Sequence, residues 1–198
     1  MKLYERGHFQ LNNPVHRWIP EWKGLKVKTK DGGLVDQDRP MSVKDALMHT
    51  TGLGWGVEGE LTIDKFLPAM MQLRGGTDGT LEAMTQQLAD KPLEFQPGTK
   101  WLYGISTDVC GRLVEAMSGQ RFDDFLQAEI FDPLGMVDTG FYVPDDKHDR
   151  VAANYIRVGS KELRRLDSAF GAATLTPPPV FSGGGALAGA PAASPRSP

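Results

Sequence analysis

The chain has 198 residues, 40% of them hydrophobic and 24% charged, with 22 basic and 25 acidic side chains for a net charge of −3. That length suits one domain or most of one, and the apolar content suffices for a buried core, which excludes disorder along the whole chain. The charge balance carries no basic footprint of the kind that holds nucleic acid, so no nucleic-acid partner is expected. Lys161, Arg164 and Arg165 form the one basic cluster; it reads as a solvated surface turn.

In chain order, Met1 to Arg6 reads as the last turns of a helix, with Gly7 placed just beyond its end. No capping residue precedes it. Leu11 to Val15 form a turn, followed by a short helical piece ending at Pro20. Residues Leu25 to Lys30 alternate apolar and polar and meet Asp31-Gly32-Gly33 and then Leu34-Val35, an exposed lysine-rich hairpin. Ser42 with Asp45 forms a capping box that opens a helix running to His49. Thr50 to Gly56 is a glycine-rich loop without the flanking elements of a phosphate loop. Helical patterns follow at 62–73 and 80–88; the first carries Met70 and Met71, which read as core filler.

Phe95 to Tyr103 is a turn followed by an extended segment. Ser106 or Thr107 then caps a helix through Leu113, Val114 and Met117 that ends at Gly119. Phe122 to Ile130 is a further helix, stopped by Pro133 and Gly135. Thr139 to Val143 and Val151 to Arg157 are short strand candidates. From Pro177 to Pro198 lie six of the chain's 14 prolines, and no aromatic follows Phe181. Such a stretch buries too little to offset its ordering entropy, so a disordered tail is expected over 188–198.

Self-sufficient catalytic sets are absent from the sequence. There is no His-Glu-x-x-His and no Gly-x-Ser-x-Gly. The histidines at 8, 16, 49 and 148 are scattered and read as surface or hydrogen-bonded residues, so no metal and no cofactor is expected. Cys110, the one cysteine, lies in an apolar stretch and reads as a buried, inert thiol. No serine carries a lysine three residues later: Ser42 meets Asp45, Ser106 meets Val109 and Ser118 meets Arg121. Ser106 reads as a helix cap rather than a nucleophile. No run approaches the ~18 apolar residues of a membrane span. Without an apolar leader in the first residues, a cytoplasmic location is the expectation.

Five blocks then carry a resemblance. They are Leu3-x-x-x-Gly7-x-x-x-Leu11-x-x-Pro14-Val15; Met48-His49-Thr50-Thr51-Gly52-Leu53; Phe95-x-Pro97-Gly98-x-x-Trp101-x-Tyr103; Asp108-x-x-Gly111-x-x-Val114-Glu115-x-x-Ser118-Gly119; and Ile130-Phe131-x-Pro133-Leu134-Gly135-Met136-x-Asp138-Thr139. In this order they resemble the serine β-lactamase-related hydrolases, the class C-like enzymes and their esterase-like penicillin-binding-protein cousins, over roughly residues 1–187. The resemblance implies an α+β, β-lactamase/transpeptidase-like fold. This chain would be its mainly helical central portion, with most of the antiparallel sheet missing.

The resemblance also implies a mechanism. A serine of Ser-x-x-Lys attacks an ester or amide carbonyl of a small-molecule substrate, an acyl-serine forms, and a tyrosine of a Tyr-x-Asn-like motif moves the proton. Tyr103 matches that tyrosine and is the catalytic candidate, while Ile105 stands where the motif's Asn would fall. A tyrosine ordinarily titrates near pH 10, so one that works as a base near pH 7 needs a depression of about 3 units, or about 4 kcal/mol. Only positive charge in a partly desolvated site supplies that, and Lys100, three residues away on an extended segment, should face the other side. His49 to Gly52 is expected to be a structural helix end and turn near the active-site floor.

The resemblance places the Ser-x-x-Lys upstream of Met1. Pro178 to Leu187 resembles the family's Phe-x-Ser-Gly-Gly-Gly-Gly-Leu block, after which the third motif does not appear. A truncated or frameshifted reading frame is therefore expected, and with it an inactive chain. The alternative is a non-catalytic binding remnant or pseudoenzyme.

Overall fold

The computed structural model describes residues 1–54, 65, 69, 80–141, 144–150, 155–158 and 162–165. Its first element, α1 (Lys2–Glu5), ends as the glycine signal requires. Gly7, at φ +77°, donates its N–H to the Tyr4 carbonyl, and His8 donates to Leu3, both at 2.9 Å. This paired closure satisfies carbonyls that the helix end leaves open. It turns the chain back so that Leu3 and Phe9 both enter the core.

Two 3-10 turns follow, Val15–Arg17 and Pro20–Gly24. Pro20 opens the second rather than ending a helix, because its missing N–H is costless at a first helical position. Trp22 on that turn is buried and donates its indole N–H to the Thr85 carbonyl at 2.8 Å.

Strands β1 (Val27–Lys28) and β2 (Leu34–Val35) form the antiparallel hairpin, in the register Val27 to Val35 and Lys28 to Leu34. The hairpin is less exposed than its lysines imply. Leu25 and Val27 are buried. Lys28 N–H donates to the Leu93 carbonyl at 2.9 Å, and Leu93 N–H donates to Lys26 at 2.8 Å. One strand edge is thus paired by a segment far along the chain, a pairing that alternation alone does not reveal.

Helix α2 (Val43–Leu47) carries the expected capping box: Asp45 N–H donates to Ser42 Oγ at 3.2 Å, and Ser42 N–H donates to Asp45 Oδ2 at 2.8 Å. It stops at Leu47, short of the expected His49. Of the pattern at 62–73, Lys65 and Ala69 are helical and the rest lies outside the described residues. Helix α3 (Leu81–Leu88) is capped by Thr80, whose hydroxyl accepts from Ala83 N–H at 3.0 Å. Helix α4 (Ser106–Ser118) ends at Gly119, at φ +71°. Helix α5 (Phe122–Leu126) passes into a π-helical turn, Gln127–Phe131.

Helix α4 is the hub, packing against α1, α2, α3 and α5. Its Val109 and Leu113 are buried in the core alongside Leu81 and Met84 of α3. The start of the chain is tied on the surface to the π-helical turn, where Arg6 grips Glu129 with two guanidinium hydrogen bonds.

Two expectations need correction. Thr139 to Phe141 form no strand; Phe141 instead packs edge-on against Phe122, ring centroids 5.7 Å apart. Tyr142 and Val143, the rest of that candidate, lie outside the described residues. The second strand candidate does contain a strand, β3 (Tyr155–Val158), paired antiparallel with β4 (Glu162–Arg165). Arg164 and Arg165 therefore lie in a strand rather than a surface turn, while Lys161 is outside the described residues. The tail over 188–198 is also outside them. Helices with a few short antiparallel strands make this an α+β fold, as expected. Among the described residues, no helix is long and apolar enough to cross a membrane.

Candidate active site around Tyr103

The site is built where the turn after α2 meets the segment leading into α4. His49 adopts φ +56°, alone among the described non-glycine residues in this left-handed region. That reverses the chain, and three backbone bonds then zip it to the segment 94–102. Leu102 N–H donates to the His49 carbonyl at 3.0 Å, Gly98 to Thr50 at 2.7 Å and Glu94 to Gly52 at 2.9 Å.

Two glycines let the strips approach. A Cβ on Gly52, at φ +82°, would sit 2.5 Å from the Phe95 carbonyl oxygen; one on Gly104 would sit 2.3 Å from that of Leu53. Both lie far inside van der Waals contact, so neither position admits a side chain without backbone movement.

Tyr103 stands on the outer side of this junction, half exposed, with Trp101 two residues before it and also exposed. The Tyr103 ring stacks on His49, centroids 5.4 Å apart and planes at 23°, and Trp101 lies 6.5 Å from Tyr103 and 6.2 Å from His49. The His49 Nε2 is 3.2 Å from Thr107 Oγ1, while its Nδ1 is buried with no partner among the described residues. Lys100 is exposed. Ile105 is buried in the core, so the position that bears Asn in the family's motif offers no polar group here.

Ser106 does not cap α4. It is the first helical residue, with Ile105 in the cap position, and no side chain caps that end. Its hydroxyl is fully buried and lies 2.9 Å from Thr51 Oγ1, which also accepts the Leu53 N–H at 3.0 Å. The cap reading failed because a buried hydroxyl partner was waiting on another segment. The same burial removes Ser106 from reach of any substrate. Cys110 is no nucleophile either, since burial, helped by the negative charge of Asp108, pushes its thiol up to about 12.

Beneath the junction, Asp45 gathers the charges that hold α2 and the Gly98 turn. Burial pushes its carboxyl up, but the Arg39 guanidinium and the Ser42 hydroxyl and N–H outweigh that and bring it down to about 2. Arg39 reaches both carboxylate oxygens, at 2.6 and 2.9 Å, and its guanidinium fills the space where a Gly98 Cβ would go. A cavity of about 460 Å³ opens here, lined by Asn12, Lys44, Asp45 and Thr50 among others. A smaller apolar one of about 180 Å³ lies between α1, α2, α4 and α5. Tyr103 lines neither. Among the described residues no three His, Cys, Asp or Glu side chains group as metal ligands.

The sequence located Tyr103 but not what surrounds it. His49, expected as a structural turn residue near the active-site floor, stacks on its ring and meets the Thr107 hydroxyl. The hint available beforehand was a histidine at the very end of a short helix and just before Thr-Thr-Gly.

Solved structures share this architecture. EstCE1, described as a hydrolase with promiscuous acyltransferase activity, aligns at a TM-score of 0.68 and 24% identity, over 92% of this chain and 49% of that one. Simvastatin synthase (LovD) from Aspergillus terreus aligns at 0.64 and 26%, over 87% and 43%. The fold is thus that of the β-lactamase and penicillin-binding-protein class.

The family model for Beta-lactamase matches residues 1–193, and the chain belongs to this family of serine β-lactamase-related hydrolases. Protein Rv1367c of Mycobacterium tuberculosis (strain ATCC 25618 / H37Rv) is 31% identical over 191 residues, covering 94% of this chain and 46% of that protein. Esterase EstB of Burkholderia gladioli is 35% identical over 145 residues, covering 71% and 34%. The chain spans between a third and a half of the length of these relatives.

Proposed function

We propose that this chain is the tyrosine-bearing part, over residues 1–187, of a serine hydrolase that acts on a small-molecule ester or amide. In this reading Tyr103 is the proton-transfer residue. Its phenolate accepts the proton of a serine hydroxyl as that oxygen attacks the carbonyl, and the phenol so formed gives that proton to the departing alcohol or amine as the acyl-serine forms. Esters are favoured over β-lactams, because the names among the relatives include Esterase EstB and Lovastatin esterase. The absence of the Asn of Tyr-x-Asn at Ile105 points the same way.

The single observation that carries the reading is the placement of Tyr103. Its ring is half exposed on a rigid junction, while the serine nearest in sequence, Ser106, is buried and hydrogen-bonded to Thr51. With no Ser-x-x-Lys among its 198 residues, the chain by itself holds neither the nucleophile nor the lysine charge that would draw a tyrosine toward neutrality. It is therefore inactive alone.

The test is direct. The purified chain should take no label from a fluorophosphonate probe and should not accelerate p-nitrophenyl acetate hydrolysis. Stoichiometric labelling that disappears in Ser106→Ala would overturn the inactivity. The role of Tyr103 is tested in a hybrid, in which the 145 matched residues of Esterase EstB are replaced by those of this chain. There Tyr103→Phe should lower kcat by about 10²–10⁴, the usual worth of a positioned acid–base group. An active hybrid indifferent to that change would remove Tyr103 from the proton path.

A further inference from the structure

We infer that His49 is the positioning residue for the Tyr103 phenol, an inference that rests on the proton-transfer reading of Tyr103. Its ring forms the flat floor on which the phenol lies, at 5.4 Å and 23°. It also grips the chain on both sides of that phenol. Its carbonyl accepts the N–H of Leu102, immediately before Tyr103, and its Nε2 meets the hydroxyl of Thr107, four residues after. Thr107 sits on the first turn of α4, so the imidazole is tied to the hub helix and passes that rigidity to the ring above.

Two costs are held at this one residue. A non-glycine side chain at φ +56° crowds its Cβ against the following carbonyl. A buried ring nitrogen without a partner, as Nδ1 is among the described residues, gives up its hydration for nothing. Glycine or asparagine would make the same turn with less strain. Costs of this kind persist where the surroundings over-determine a conformation, and they gather at functional sites.

The phenol has need of such a floor. Tyr103 lies half exposed on a segment outside any helix or strand, where its side-chain torsions would otherwise be free. A displacement of about 1 Å at a reacting group costs on the order of 10²-fold in rate. Trp101 closes the trio at 6.2 Å from His49 and 6.5 Å from Tyr103.

The test reads the phenol itself in the 198-residue chain. Proton NMR, with the Tyr103 ring assigned by its disappearance in Tyr103→Phe, should show cross-relaxation between the His49 and Tyr103 rings. In His49→Asn, which keeps a residue tolerant of positive φ and removes the ring, the Tyr103 ring signals should move to random-coil positions while the remaining dispersion persists. Thr107→Val should move them part of the way. Absence of the ring-to-ring cross-relaxation in the unsubstituted chain overturns the inference whether or not any variant folds. Unmoved Tyr103 signals in folded His49→Asn overturn it equally. Either failure leaves the proton-transfer reading standing, because that is decided by Tyr103→Phe in the active hybrid.

Discussion

Asp45 should make the stability of this chain fall in acid over a definite window. Its carboxylate is buried and accepts hydrogen bonds from Arg39, from the Ser42 hydroxyl and N–H, and from the Thr50 hydroxyl at 3.1 Å. The folded carboxyl titrates at about 2, against its ordinary 3.8. A depressed acid contributes stability that is fully present above its unfolded pKa and is lost as pH falls through the folded one. At about 1.36 kcal/mol per pH unit, the contribution is about 2 kcal/mol at pH 7, lost progressively between about pH 5 and pH 1.

The perturbation is Asp45→Asn, which keeps the shape and one acceptor but cannot ionise. Urea unfolding followed by far-UV circular dichroism at pH 7, 5, 4 and 3 measures the effect. At pH 7 the variant should be about 2 kcal/mol less stable, and its deficit should fall to about half at pH 3 and approach zero only below pH 2. Glu115 runs the other way: burial raises its carboxyl, so it gains as pH falls. For that reason the wild-type-minus-variant difference, not the raw profile, isolates Asp45. A deficit that stays constant from pH 7 to pH 3 would refute the reasoning, since the loss would then be one of shape and not of charge.

Gly52→Ala should cost about 3 kcal/mol in urea unfolding, because it meets both a left-handed φ and the Phe95 carbonyl at 2.5 Å. Gly7→Ala should cost only about 1 kcal/mol, since its φ of +77° has nothing within 4 Å; equal costs would mean that the close approach is not real. Thr51→Val should cost about 2 kcal/mol or more by the same assay, since it strands the Ser106 hydroxyl and the Leu53 N–H. Ser106→Ala, which strands only one group, should cost less, and the reverse order would contradict the assignment. Cys110, half-buried in the structure, should resist iodoacetamide at pH 8 until urea unfolds the chain, because its thiol is pushed up to about 12; fast native-state labelling would contradict that shift.

What the sequence made legible was local. Ser42 with Asp45 specifies a capping box within a single turn. Gly7 and Gly119 specify helix ends because only glycine enters the left-handed region freely. Thr80 reads only as the first residue of a helical pattern, although its hydroxyl bonds three residues on as a cap does. Errors came where a distant partner decided the outcome. Ser106 looked like a cap until Thr51, 55 residues away in sequence, took its hydroxyl. Leu25 to Lys30 looked exposed until Leu93 paired with its backbone. Thr139 to Phe141 looked like a strand, yet Phe141 was claimed by Phe122.

The site divides along the same line. The family resemblance pointed to Tyr103; by itself the sequence determined that no serine is followed by the lysine its activation requires and that the one thiol sits among apolar neighbours. Those are facts of residue identity and short spacing, which the linear chain carries in full. Only the tertiary structure decided that Ser106 is sealed inside, that His49 lies under the phenol, and that one imidazole-bearing residue ties Leu102 to Thr107. Each of these depends on bringing the turn after α2 against the start of α4. That approach is permitted by two missing side chains, Gly52 and Gly104, and held by backbone hydrogen bonds that every non-proline residue can make. Such bonds leave no residue-specific trace in the sequence.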